Sequence, residues 1–160
     1  MKVKIQKTTP DDAGWIRDFL EPGGAEFIIS RGRKLFPAEL PGFCAVENKG
    51  EKIGLATYEI VGDQCELVTI DAFVRRSGIG TELLVKVKEA AESAGCRRLW
   101  LITTNDNVEA MRFYQRRGMC FAAVHANALE HSRTMKPSIP TVGFFKIPIR
   151  DEVEFEMILS

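Results

Sequence analysis

Hydrophobic and polar positions change period several times along the chain, and each change marks an element. Val3 and Ile5 alternate with lysine and glutamine, the two-residue period of a short first strand. Thr9-Pro10-Asp11-Asp12 is a helix-start signal, after which Trp15, Ile16, Phe19 and Leu20 fall at helical spacing until Pro22-Gly23-Gly24. Residues 25–42 hold no sustained period. They carry a basic cluster, Arg31, Arg33 and Lys34, between apolar residues closed by Pro37 and Pro41, and are compatible with one short helix.

From Phe43 the pattern is that of strands. Cys44–Glu47 leads into Asn48-Lys49-Gly50-Glu51, a hairpin turn, and Ile53–Val61 returns. Gly62-Asp63 makes a second turn before a third strand, Cys65–Ile70, so these strands are expected to be antiparallel. The period then becomes helical: Leu83, Leu84, Val87, Ala90 and Ala91 share one face of a helix from about Gly80 to Ser93. Glu82 and Lys86 are spaced as an i,i+4 pair, and Gly95 is a natural stop. Arg98–Thr103 is a nearly unbroken apolar run, read as a central parallel strand covered on both faces. Asp106-x-x-Glu109 resembles a capping box for a helix over 107–117 that ends at Gly118, and Met119–Val124 is a further strand. Residues 126–142 are polar, with a helical turn or two near Ala128–Met135. Val153, Phe155, Met157 and Leu159 then alternate with glutamates in a last strand. The order β-α-β-β-β-α-β-α-β-β predicts an α/β domain with a mixed sheet.

Composition narrows the function classes. A chain of 160 residues is read as one domain over 1–160 that buries roughly 70% of its unfolded surface without a staple. Twenty-two Lys and Arg balance 22 Asp and Glu, which lowers the expectation of a nucleic-acid or anionic-membrane partner. No apolar run approaches the ~20 residues that span a bilayer, and the N-terminus reads as a strand rather than a signal peptide, which points to the cytoplasm. Cys44, Cys65, Cys96 and Cys120 form no C-x-x-C pair and read as small buried hydrophobes of a reducing compartment. With His125 and His131 the only histidines, no metal site is expected.

The chemistry concentrates where a strand, a short turn and a helix meet at Arg75-Arg76-Ser77-Gly78-Ile79-Gly80. Two glycines at a helix start leave backbone N–H groups pointing outward, an anion cradle suited to a pyrophosphate, with Arg75 and Arg76 adding charge at its lip. A tight strand-to-helix turn explains the same glycines. A dinucleotide fingerprint would need glycine where Leu83 stands, and a P-loop would need Gly-Lys-Ser/Thr, which is absent.

The turn resembles the signature Arg/Gln-x-x-Gly-x-Gly/Ala of the GNAT superfamily of CoA-dependent N-acyltransferases, met by Arg75, Gly78 and Gly80. A second matching element follows, Asn107-x-x-Ala110-x-x-Phe113-Tyr114 and then Arg117-Gly118-Met119, so that the resemblance covers about residues 52–121. It implies a mixed, mostly antiparallel central sheet, splayed between two strands and flanked by helices on both faces. Acetyl-CoA would enter the splay as cosubstrate, between the strands 65–70 and 98–103. Ile70, Asp71, Ala72 and Phe73 would pair with the pantetheine arm, and the amides of Arg76, Ser77, Gly78, Ile79, Gly80 and Thr81 would hold the pyrophosphate. Asn107 is expected at the pantetheine or cysteamine end, a role compatible with capping a helix, and Phe113 beside the cofactor.

The resemblance further implies direct attack of an amine on the thioester. Tyr114 resembles the family's general acid, since a phenol stays protonated at neutral pH and can donate to the departing thiolate; core packing is its plain alternative. A backbone N–H near Ile70 would meet the oxyanion. Glu66 is the first candidate base and Asp71 the second, with a water chain as a third possibility. The acceptor, a small-molecule or peptide amine, would be chosen by residues 25–42 and 125–145, where Arg31, Arg33 and Lys34, and His125, Asn127, Glu130, His131 and Arg133, are either pocket or solvated surface. An acyl-CoA-binding module without catalysis and a plain interaction domain are the rival readings. A homodimer is common in proteins the chain resembles, and the sequence itself leaves the oligomeric state open.

Overall fold

The computed structural model describes residues 2–72 and 77–160. Elements follow in the order β1 (Val3–Lys7), α1 (Ala13–Leu20), β2 (Ile28–Ser30), β3 (Arg33–Leu35), β4 (Gly42–Glu47), β5 (Lys52–Val61) and β6 (Gln64–Ala72). They continue with α2 (Ile79–Ser93), β7 (Arg98–Thr104), α3 (Val108–Arg116), β8 (Cys120–His125), α4 (Ala128–Met135) and β9 (Glu152–Ile158). Among the described residues, seven strands form one sheet in the order β1-β4-β5-β6-β7-β9-β8, and β2 pairs with β3 apart from it. The neighbours are antiparallel except β6 and β7, which run parallel. The fold is the mixed, mostly antiparallel α/β sheet that the sequence predicts.

The parallel pair is short. It holds Gln64 to Arg98, Cys65 to Leu99 and Glu66 to Trp100, and stops there. Just beyond, the β5–β6 ladder shifts register, from Tyr58 opposite Leu67 to Thr57 opposite Thr69, which leaves Val68 without an opposite residue. A bulge of this kind bends and overtwists its strand, so β6 leaves β7 past Glu66 while β5 still holds it through Ala72. The gap between β6 and β7 follows from that one extra residue.

Alternation along the strands sends side chains to two covers. Ala56, Cys65, Leu67, Leu99 and Phe155 join Ile79, Leu83, Leu84, Val87 and Ala91 of α2 in one cluster, whereas Leu55 packs with Ile16 and Leu20 of α1 on the other face. Burying side chains such as Leu83 contributes about 1.5–3 kcal/mol each. Close approach of α2 requires a glycine at 54, where a Cβ would stand 3.1 Å from Ile79 and 3.3 Å from Ala45.

Several local expectations are corrected. Residues 25–42 hold a β-hairpin as well as the short helix: β2 and β3 are joined at Arg31-Gly32, both at positive φ (49° and 76°), and a single 3₁₀ turn follows at Pro37–Glu39. Paired positive φ values are the geometry of the tightest hairpin loops. Asp106 does not cap α3. Asn107 does, its side chain accepting from the Ala110 amide at 3.3 Å. Asp106 is instead buried, accepting from Thr104 Oγ1 at 2.5 Å and from the Phe144 amide at 3.0 Å, and a Cβ at Gly143 would collide with it at 2.0 Å. Lys86 pairs with Glu89 at 3.5 Å, one turn further along, rather than with Glu82. Cys44, Cys65 and Cys96 are buried as expected, but Cys120 is exposed, because β8 is the edge strand.

Candidate active site

The mouth of the gap on the α2 side opens into a cavity of about 310 Å³. Its walls are Ile70, Asp71 and Ala72 from the end of β6; Ser77, Gly78, Ile79, Gly80 and Thr81 from the start of α2; and Ala110, Phe113, Tyr114 and Arg117 from α3. Most of the residues expected to hold a cofactor therefore meet in one place. Phe73, Arg75 and Arg76, expected with them, lie outside the described residues.

The two glycines at the start of α2 serve different ends. Gly78 is the N-cap at φ 82°, a conformation that L side chains rarely adopt, and it supplies no side-chain cap. The first intrahelical bond runs from the Glu82 amide to the Gly78 carbonyl, so the amides of Ile79, Gly80 and Thr81 point out of the helix without a partner inside it. Gly80 has ordinary backbone geometry, and its hydrogen makes room for a ring: a Cβ there would stand 3.1 and 3.2 Å from the Phe113 edge. Helix dipole and open amides together make this corner attractive to an anion.

Tyr114 is only 8% exposed and packs edge-on against Phe113, with ring centroids 5.5 Å apart, and against Phe155 at 5.9 Å. Burial pushes its phenol well above the usual tyrosine value, and the Asp71 carboxylate adds to the rise. The hydroxyl therefore stays protonated throughout the neutral range. Asp71 itself is exposed, with Oδ1 accepting from the Ala72 amide at 2.9 Å. Asn107 is not among the lining residues; its place is the α3 cap. Ala110 and Arg117 were missed as site residues by sequence reasoning. Their signal was the i,i+3 and i,i+4 spacing about Phe113, which places all three on one flank of α3.

Glu66 lies elsewhere. It ends the paired part of β6 and borders a second cavity, of about 420 Å³, with Arg31, Arg33, Glu59, Val61, Asp63, Gln64 and Trp100. Its neighbour Leu67 joins the α2 cluster, so Glu66 projects from the opposite face to Tyr114. The carboxylate is 3% exposed, accepts from Ser30 Oγ at 2.6 Å and from Arg33 at 2.8 Å, and shares Arg33 with Glu59 at 2.9 Å. Burial raises its pKa above the ordinary 4.5, while Ser30 and then Arg33 pull it partly back. The structure thus brings Glu66 to the vertex of the gap and does not bring it into one cavity with Tyr114.

Much of the polar segment near the last strands is engaged within the fold. His125 Nε2 meets Glu154 at 2.9 Å, Arg133 donates to the carbonyls of Pro140 and Ile149, and Arg31 pairs with Glu152 at 2.7 Å. Among the described residues, no three His, Cys, Asp or Glu gather as a metal group, and no helix is long and apolar enough to cross a membrane.

Known proteins resemble this chain in sequence and in fold. The acetyltransferase (GNAT) family model matches residues 13–119. The uncharacterized protein YdhI of Bacillus subtilis (strain 168) is 49% identical over 139 residues, 86% of each chain. An IAA acetyltransferase from Bacillus cereus ATCC 14579 superposes with a TM-score of 0.76 at 19% identity, covering 99% of this chain and 100% of that one. A GNAT family acetyltransferase from Elizabethkingia anophelis, solved with acetyl-CoA bound, superposes at 0.70 with 18% identity and 98% of each chain covered. With the family match spanning both the glycine turn of α2 and the Phe113-Tyr114 flank of α3, the chain belongs to the acetyltransferase (GNAT) family.

Proposed function

We propose that the protein transfers the acetyl group of acetyl-CoA to a primary amine of a small molecule or peptide by direct attack. The observation that carries this reading is the α2-side cavity, which joins uncapped helix amides at one end to a buried, protonated tyrosine at the other. The pyrophosphate belongs at Gly78–Thr81. The pantetheine arm belongs along β6 beyond Glu66, where the strand has a partner on one side only and an extended amide chain can take the other.

The acceptor ammonium first loses a proton. Its nitrogen attacks the thioester carbonyl, the C–N bond forms, and a backbone N–H near Ile70 receives the oxyanion. The C–S bond then breaks and the thiolate takes a proton from Tyr114, which recovers one from the nitrogen through solvent. Net, an ammonium and a thioester become an amide, a thiol and one released proton. The burial that keeps Tyr114 protonated also disfavours a free thiolate in the same place, which strengthens the donation. Glu66, at the vertex of the gap, is the proposed acceptor of the first proton, through water, with Asp71 second. Its two bonds leave the carboxylate further acceptor capacity.

The separation of Glu66 from Tyr114 onto opposite faces favours a second reading, an acyl-CoA-binding module in which neither residue takes part in chemistry. Thiol release from acetyl-CoA against a panel of amines, run beside CoA calorimetry, separates the two. In Tyr114→Phe, turnover should fall by about 100-fold or more, with CoA affinity within about twofold of the parent. Unchanged turnover would remove Tyr114 from the mechanism, and CoA binding without amine-dependent thiol release in the parent would favour the module.

A further inference from the structure

On the sheet face away from α2, two buried carboxylates flank β7: Glu66 of β6, 3% exposed, and Glu152 of β9, 2% exposed. Both accept from the same short turn. Ser30 ends β2, Arg33 begins β3, and Arg31-Gly32 joins them. Ser30 Oγ donates to Glu66 Oε2 at 2.6 Å and Arg33 Nη2 donates to Oε1 at 2.8 Å, so each oxygen of Glu66 has a donor from a different strand of the hairpin. The Arg31 amide and guanidinium donate to the two oxygens of Glu152, at 3.1 and 2.7 Å. The hairpin thus spans β7 from β6 to β9, seated at both ends on carboxylates that need donors to stay charged once buried. Its far side is backed by α4, where Lys136 Nζ donates to the Phe27 carbonyl at 2.7 Å.

The two donors on Glu66 differ in kind. Arg33 is 43% exposed and divides its guanidinium between Glu59 and Glu66. Ser30 is 1% exposed, and the one proton of its hydroxyl goes to Glu66. Among the influences that oppose burial at Glu66, the Ser30 bond is the largest. The charged groups around the same cavity are Arg33 of β3, Arg31 of the turn, Glu59 of β5 and Asp63 of the β5–β6 turn, while β7 presents the uncharged Trp100. We infer that Ser30 is a positioning residue for Glu66, holding its carboxylate oriented and ionised at the vertex of the gap. The inference rests on the reading that Glu66 accepts the proton of the acceptor ammonium. A carboxylate must be ionised before it can take that proton, and the Ser30 bond favours the ionised form from a place that solvent does not reach. Fixing Oε2 also leaves the remaining lone pairs to water from the second cavity.

Amine-dependent thiol release across pH, in the parent, Ser30→Ala, Glu66→Gln and the double variant, tests this. Ser30→Ala should lose about tenfold in kcat at neutral pH, and its acid limb should move to higher pH by about one unit. The KM for acetyl-CoA should stay within about twofold, because Ser30 and the α2-side cavity lie on opposite faces of the sheet. In the Glu66→Gln background, Ser30→Ala should add no further loss. Ser30→Thr keeps the hydroxyl and should keep the limb at the parent's pH, with thermal melting reporting any strain from the added methyl. An equal loss in both backgrounds with the limb unmoved would overturn the inference and leave Ser30 as a brace of the hairpin. A parent that releases no thiol with any amine would overturn the proposed function instead. Carboxyl-carbon NMR of Glu66 then decides the contact by itself: a titration that Ser30→Ala moves to higher pH supports it, and an unmoved one overturns it.

Discussion

Gly80→Ala tests whether the cavity is shaped by packing or by backbone freedom. The new methyl would begin 3.1–3.2 Å from two carbons of the Phe113 ring, closer than ordinary contact by a few tenths of an ångström. The ring has little room to retreat, because Arg117 lies over it at 3.9 Å and Tyr114 stands edge-on at 5.5 Å. Overpacking of this kind costs about 1–3 kcal/mol. Against it stands the gain from replacing glycine by alanine in a helix, at most about 1 kcal/mol and less in a first turn. The difference predicts a net loss of about 1–2 kcal/mol in urea denaturation. Since Phe113 and Arg117 both line the cavity, CoA affinity should fall together with stability. Adding Phe113→Leu removes the colliding carbons, so the double variant should be more stable than the sum of the singles by about 1 kcal/mol. Gly80→Ala that is more stable than the parent and binds CoA unchanged would refute the reasoning, since Phe113 would then be free to move and the glycine would have no steric task.

Other expectations follow from the same contacts. Burial raises Glu66 in the folded chain, so the native state keeps that proton to higher pH than the unfolded chain does. Its contribution to stability is whole below the ordinary 4.5 and is lost as pH rises through the elevated folded value. Urea denaturation across pH should therefore find a shallower decline over that window in Glu66→Gln. Arg33→Met removes an influence that lowers Glu66, so the window, and the acid limb of any amine-transfer rate, should move to higher pH; a move to lower pH would contradict the Arg33 contact. Asn107→Ala should cost about 0.5–1 kcal/mol through the lost α3 cap and leave the calorimetric CoA affinity within about twofold, because Asn107 does not line the cavity.

The parts of this molecule legible in its sequence are those whose signal is local. Leu83, Leu84, Val87 and Ala91 announce α2 by their spacing and are all buried. The glycine turn and the Phe113-Tyr114 pair mark two walls of one cavity although Phe113 lies 33 positions beyond Gly80. The β2–β3 hairpin was illegible because three-residue strands are too short to display alternation, and because arginine is an unusual residue at the positive φ of Arg31. Asp106 and Asn107 are adjacent and equally good caps by type. Only the packing of Phe144 and Gly143 against the Asp106 carboxylate decides between them. Glu66 could be placed on its strand, but not on a face of the gap, since that depends on where β7 stops pairing. Arg117 reads as an ordinary cation at a helix C-terminus until the start of α2 is seen beside it.

Val68 also marks a change of count along its strand. In a regular strand, odd and even positions keep to their own sides, yet β6 turns Cys65 and Leu67 toward the α2 cluster and then Ile70 and Ala72 toward that same cluster. One unmatched residue has reversed the parity of everything after it. The apolar side chains of both halves of β6 reach a single core, while Thr69 meets Thr57 on the other side at 2.7 Å. Deleting Val68 would leave plain alternation, with Ile70 and Ala72 still toward α2 and Thr69 and Asp71 still away from it, and would remove only the bend. For this sheet, the extra residue sets where β6 turns away from β7, not which way the side chains beyond it face.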